Sequence, residues 1–160
     1  MSTRGSVEAE VLAAFLATHE IGRIISSPYL RARQTIEVFA RSAGLSVELD
    51  DRLAERRLSP RPIEGWREVV RRSFVDPSFS VPGGESGAET LARGLAAIRA
   101  ALAAPEPLPV IVSHGQLLSL VLHSIDPGFG YAGWESLSNP DVHLIESGAN
   151  GMLAFRRLWR

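Results

Sequence analysis

The stretch that restricts this chain most is Val110-Ile111-Val112. Three β-branched residues in a row, without polar alternation, mark a strand covered on both faces, as in a parallel sheet between two helix layers. Ser113-His114-Gly115 follows as a tight turn, and residues 116–124 are mostly apolar and read as a helix. A strand–turn–helix unit places its turn at the carboxyl end of the sheet, where open α/β sheets bind their ligands. His114 stands on that turn. A single turn histidine is as often a hydrogen-bonding fixture as a reactive group, so neighbouring residues must decide its chemistry.

A second unit of the same kind occupies residues 24–37. Ile24 and Ile25 read as the end of a short buried strand, Ser27 as a helix N-cap, and Pro28 as the first helical residue, where its missing N–H costs nothing. Tyr29, Ala32, Ile36, Phe39 and Ala43 recur at helical spacing and predict the face packed on the sheet. Arg31 and Arg33 fall at the positive end of this helix, where cations are disfavoured. Glu37, one turn beyond Arg33, offers that arginine a partner. Arg31 has none at that spacing. An unpaired arginine beside a helix N-terminus that follows a strand suits a phosphate. The plainer alternative is a solvated side chain.

The other segments complete an alternating pattern. Residues 6–18 predict a helix that Ser6, Thr3 or Gly5 could cap, with Val7, Val11, Ala14, Phe15 and Thr18 on its packed face. Residues 44–49 alternate as a strand with Leu45, Val47 and Leu49 on one side. The charged run that follows carries Pro60 and Pro62 and predicts an irregular loop. Residues 64–74 predict a helix with Trp66, Val69, Val70 and Phe74 inward. Ser86 and Glu89 form a capping box, opening a helix with Ala88, Leu91, Leu95, Ile98 and Leu102 on one side. Residues 137–146 contain a late strand, and 152–159 an edge strand. Alternating strands and helices predict one α/β domain over residues 1–160, a three-layer sandwich with a mostly parallel central sheet flanked by helices.

Composition removes several alternatives. Seventeen basic residues, all arginine, against eighteen acidic ones leave a net charge of −1, which speaks against a nucleic-acid or membrane-surface partner. The chain has no cysteine, so disulfides and thiolate chemistry are out. No apolar run has transmembrane length, and a cytoplasmic location is expected.

Ser26-Ser27-Pro28-Tyr29-Leu30-Arg31-Ala32-Arg33-Gln34-Thr35 resembles the SS-P-x-x-R-A-x-x-T segment of the histidine phosphatase superfamily, which includes the cofactor-dependent phosphoglycerate mutases. Arg52-Leu53-Ala54-Glu55-Arg56 is similar to that family's R-L-x-E-R, Gly84-Glu85-Ser86 to its G-E-S, and Val112-Ser113-His114-Gly115 to its V-S-H-G. The late Asn139 also falls in order. The resemblance implies that Arg31 binds the transferred phosphate, that Glu55 is the proton donor, and that His114 contacts the phosphoryl group and stabilises its charge. It further suggests Ser27, Glu85, Ser86, Gly115 and Gln116 as the rim of a substrate pocket. A small phosphorylated substrate or free phosphate is the expected partner, with no metal or cofactor, and homodimer formation stays open.

One departure matters. The family nucleophile is a histidine on a first strand ending in Arg-His-Gly, ahead of the loop matched here by Thr3-Arg4-Gly5, and no Arg-His-Gly occurs in this sequence. His19, His123 and His143 are poor replacements, because none belongs to an expected strand-end loop. The sequence therefore predicts a phosphomonoester hydrolase by family, acting through a phosphohistidine when complete. In this form the first strand would be missing and the chain N-terminally truncated, with little or no activity. A non-catalytic binder of phosphorylated ligands or proteins is the first alternative, and a mutase-type phosphotransferase the second.

Overall fold

Ile24 and Ile25 face opposite sides of one strand, and that alternation organises two cores. The computed structural model describes residues 2–159. In chain order the elements are α1 (Thr3–Leu16), β1 (Arg23–Ser26), α2 (Leu30–Ala43), β2 (Val47–Leu49), a 3-10 turn (Asp51–Leu53), α3 (Trp66–Ser73), α4 (Gly87–Leu102), β3 (Pro109–Val112), α5 (Gly115–Ile125), α6 (Tyr131–Glu135), β4 (Val142–Ser147) and β5 (Leu153–Trp159).

β1 lies between β2 and β3, and both pairings are parallel. Ile24 sits opposite Val47 and Val110 and packs with Leu12, Leu16, Ile36 and Phe39, so α1 and α2 cover that face. Ile25 sits opposite Ile111 and packs with Leu53, Ala97 and Ala101, while Ile98, Leu117 and Val121 extend this second core between α4 and α5. Helix pairs on both faces of a parallel sheet give the expected three layers. β4 and β5 form a separate antiparallel ladder, tied to the first core through Val142 and Trp159. β3 is half-buried along its length rather than fully covered, and its outer edge has no ladder partner among the described residues.

Several local expectations are corrected. α1 starts earlier than residue 6, with Ser2 as its cap, accepting from Gly5 N–H at 3.2 Å. Its packed face is Ala9, Leu12, Ala13 and Leu16, whereas Val7 and Val11 are exposed. The alanines let α1 approach α2 closely, which the bulkier valine face would prevent. Tyr29, not Ser27, is the N-cap of α2, and it stands outside the packed stripe, where Ala40 replaces Ala43. β2 is shorter than residues 44–49, with Leu49 turned to solvent. Trp66 is also exposed. In α4 the buried stripe is Gly87, Thr90, Gly94, Ala97, Ile98 and Ala101. Small side chains win there because α5 is close: a Cβ on Gly94 would stand 2.9 Å from Leu117 Cδ2. The Ser86–Glu89 capping box forms as expected, and α6 had no sequence signal.

Candidate functional site

The carboxyl ends of β1 and β3 lie side by side, because Ser26 is in register with Val112. The turns after them therefore face each other. Ser27 N–H donates to the Val112 carbonyl at 2.8 Å, and Ser27 Oγ lies 2.7 Å from His114 Nε2. Ser27 is fully buried and His114 is 7% exposed. Tyr29 packs edge-on against the His114 ring at 5.1 Å, and the Arg31 guanidinium lies 4.8 Å from the centre of the Tyr29 ring. A cation over an aromatic face is held without being neutralised. Arg31 forms no ion pair among the described residues, so its charge is available.

Burial pushes the His114 imidazole down to about 4, and the nearby charges of Arg31 and Arg93 add to that. His114 is thus neutral near pH 7. Ser27 Oγ also accepts the Tyr29 N–H at 3.3 Å, so one buried hydroxyl ties the start of α2 to the His114 ring.

Glu55 enters from the loop after the 3-10 turn. Its carboxylate receives the Arg56 N–H at 2.9 Å, the Leu117 N–H at 3.3 Å and the Gln116 N–H at 3.4 Å. It therefore caps α5 from outside that helix, where negative charge is favoured. Burial nevertheless raises its carboxyl above the ordinary range and outweighs these hydrogen bonds and the Arg31 charge. Two further side chains hold the loop. Ser113 Oγ donates to Leu53 O at 2.8 Å, and Arg93 Nη1 donates to Arg52 O at 2.7 Å and Ala54 O at 2.6 Å. Arg93 also grips Glu85 through both carboxylate oxygens, at 2.6 and 2.8 Å.

A cavity of about 390 Å³ opens beside this cluster, lined by Tyr29, Glu55, Arg57, Glu85 and Arg93 among others. A second, of about 480 Å³, is lined by Arg57, Arg61, Trp66 and Gln116 with neighbouring loop residues. Arg31, Glu55, His114 and Ser27 are thus brought together. Gly115 opens α5 beside them, and Gln116 reaches the second cavity. Glu85 lines the first cavity with its charge taken by Arg93. Ser86 is buried and spends its hydroxyl on capping α4, so it lines neither cavity. Tyr29 and Arg93 escaped sequence reasoning in this role. Tyr29 fell on a helical apolar repeat, and Arg93 stood off the expected apolar stripe of its helix with no motif to single it out.

None of the remaining histidines approaches the cluster. His19 bonds Thr18 and the Phe15 carbonyl at the end of α1, His123 lies against Phe74, and His143 faces Asp141.

Comparison with known proteins gives the family. The profile described as "Histidine phosphatase superfamily (branch 1)" matches residues 1–153, and the chain belongs to that family. The "Probable phosphoglycerate mutase GpmB" of Erwinia tasmaniensis is 32% identical over 134 residues, 78% of this chain and 62% of that protein. Its namesake from Proteus mirabilis is 34% identical over the same shares. The chain thus spans about three-fifths of the length of these curated relatives. Among solved structures, a mycobacterial glucosyl-3-phosphoglycerate phosphatase in complex with VO3 superposes with a TM-score of 0.73 at 26% identity, covering 99% of this chain and 85% of the other.

Proposed function

We propose that this chain carries the phosphoryl-holding and proton-donating parts of a histidine-phosphatase site and binds phosphate monoesters there. The observation that carries the reading is the Arg31–Tyr29–His114 stack, with Glu55 beside it. Phosphoryl oxygens would accept from the uncompensated Arg31 guanidinium and from the neutral His114 ring, donors aimed where charge develops during transfer. Glu55, whose carboxyl burial raises above the ordinary range, would give its proton to the leaving alkoxide as the P–O bond breaks. A structural relative solved with vanadate, a phosphate mimic, supports this choice of ligand.

A phosphohistidine step also needs an imidazole to attack phosphorus, and none of the other three histidines reaches the cluster. The reading therefore predicts phosphate-ester binding with little turnover by this 160-residue chain. Hydrolysis is favoured over mutase chemistry, because a solved relative that superposes over 99% of this chain is a phosphatase.

The test is calorimetric titration of the chain with inorganic phosphate and vanadate, repeated on Arg31→Ala. Loss of one charge-assisted contact of about 1.5–3 kcal/mol should weaken binding at least about tenfold. Unchanged affinity in Arg31→Ala would remove Arg31 from the site. Brisk phosphate release by this chain, dependent on His114, would overturn the prediction of low turnover.

A further inference from the structure

Tyr29 falls on the apolar repeat of α2, yet it is 41% exposed. A lone half-exposed aromatic needs no explanation, but what this one touches does. Its backbone is pinned at three points. The N–H donates to Ser27 Oγ at 3.3 Å, and the carbonyl accepts from Ala32 N–H at 3.0 Å and Arg33 N–H at 3.2 Å. The ring therefore projects from a fixed N-cap. It meets the His114 ring with centres 5.1 Å apart and planes 61° apart, and the Arg31 guanidinium lies 4.8 Å from its centre. Both contacts are made by the ring and not by the hydroxyl. Arg31 has no other anchor of this kind. It is exposed, pairs with no carboxylate among the described residues, and lies in the first turn of α2, whose dipole repels a cation. A side chain so placed samples many rotamers, and ordering it when a ligand arrives weakens binding. A carboxylate partner would order it but occupy its donors. An aromatic face orders it and leaves those donors free.

We infer that Tyr29 is a positioning residue: its ring sets the Arg31 guanidinium and the His114 imidazole at a fixed separation before any anion arrives, and its hydroxyl takes no part. The inference rests on the proposed function and deepens it, since it names what arranges the two groups that hold the phosphate. The same ring covers His114 from solvent and keeps a positive charge near it. Both effects hold the imidazole neutral, so loss of the ring has a signature at His114 as well as at the ligand.

The test titrates inorganic phosphate into the unaltered chain, Tyr29→Leu, Tyr29→Phe, Arg31→Ala and the double variant Tyr29→Leu/Arg31→Ala. Tyr29→Leu keeps apolar bulk without an aromatic face, and its affinity should fall about three- to tenfold, the effect of ordering one freed arginine. Tyr29→Phe should restore it. With Arg31 already removed, Tyr29→Leu should cost little more, because nothing is left to hold. In NMR of the ligand-free proteins, His114 should titrate above its value of about 4 in Tyr29→Leu and return to it in Tyr29→Phe. The unaltered chain gives a reading that needs no variant to fold: Arg31 side-chain protons over the Tyr29 ring should lie upfield of those in free arginine. Full affinity in Tyr29→Leu, no rescue by Tyr29→Phe, an undiminished effect in the double variant, or Arg31 protons at the free value would each overturn the inference and leave the proposed function standing. Failure of the unaltered chain to bind phosphate would remove both.

Discussion

Burial moves the His114 and Glu55 side chains in opposite directions, and both moves favour the neutral form. The consequences for stability have opposite signs. His114 titrates lower in the folded chain than unfolded, so its contribution is full above about 6.5 and is lost as pH falls toward about 4. Glu55 titrates higher when folded, so its contribution is present below the usual carboxylate range and is lost as pH rises through the raised value. Urea unfolding across pH should therefore show an acid-side loss of stability that His114→Asn makes shallower. Glu55→Gln, which cannot ionise, should lose that decline as pH rises, and with it the capacity for proton donation. A steeper acid limb in His114→Asn, or an unchanged decline with rising pH in Glu55→Gln, would contradict these assignments. The grouping of Arg31, Glu55 and His114 was legible because each stood in a motif with a mechanical reason. Tyr29 was not, because a side chain at helical spacing looks like core until the cap position is known.

At the scale of elements, the acid loop is held from outside itself. Arg93, on α4, ties the Arg52 and Ala54 carbonyls to Glu85, so α4 positions Glu55 without touching it. Arg93→Met should cost about 1–3 kcal/mol, since it leaves a partly buried carboxylate unpaired and two carbonyls without a donor. Guanidinium unfolding measures that loss, and an unchanged midpoint would show the clamp to be idle. The same loop meets the Gly-Glu-Ser turn at Gly84, where a Cβ would fall 2.0 Å from the Leu58 carbonyl oxygen. Gly84→Ala must displace backbone, and a loss of more than about 2 kcal/mol is expected. Ser86→Ala, which removes only a cap, should cost about 1 kcal/mol. Boundaries were read less well than element types. The valine face of α1 lost to one of alanine and leucine. On α4 the expected Ile98 is buried with Leu91 and Leu95 beside it, while glycine, threonine and alanine make the closest contacts. Close helix contact depends on the partner helix, which periodicity does not see.

At the scale of the whole molecule, the parallel sheet and the β4–β5 ladder share a core but no ladder hydrogen bonds. β1 is paired on both sides and buried, whereas β4 is paired only to β5. Native-state hydrogen exchange should find β1 amides opening near the global unfolding free energy and β4–β5 amides at a lower one. Equal protection would mean that the two pieces unfold as one. The layer order was legible because Ile24 and Ile25 alternate within one short strand. The division of the sheet was not, since β-branched runs announce strands without naming their neighbours.

The central claim is that a phosphate sits between Arg31 and His114. It is tested most directly by following the His114 ring resonances in NMR while inorganic phosphate is added. A bound dianion should move them saturably and raise the His114 titration from about 4, and Arg31→Ala should suppress that response. If phosphate leaves the His114 resonances and their titration where they were, the site described here does not hold it.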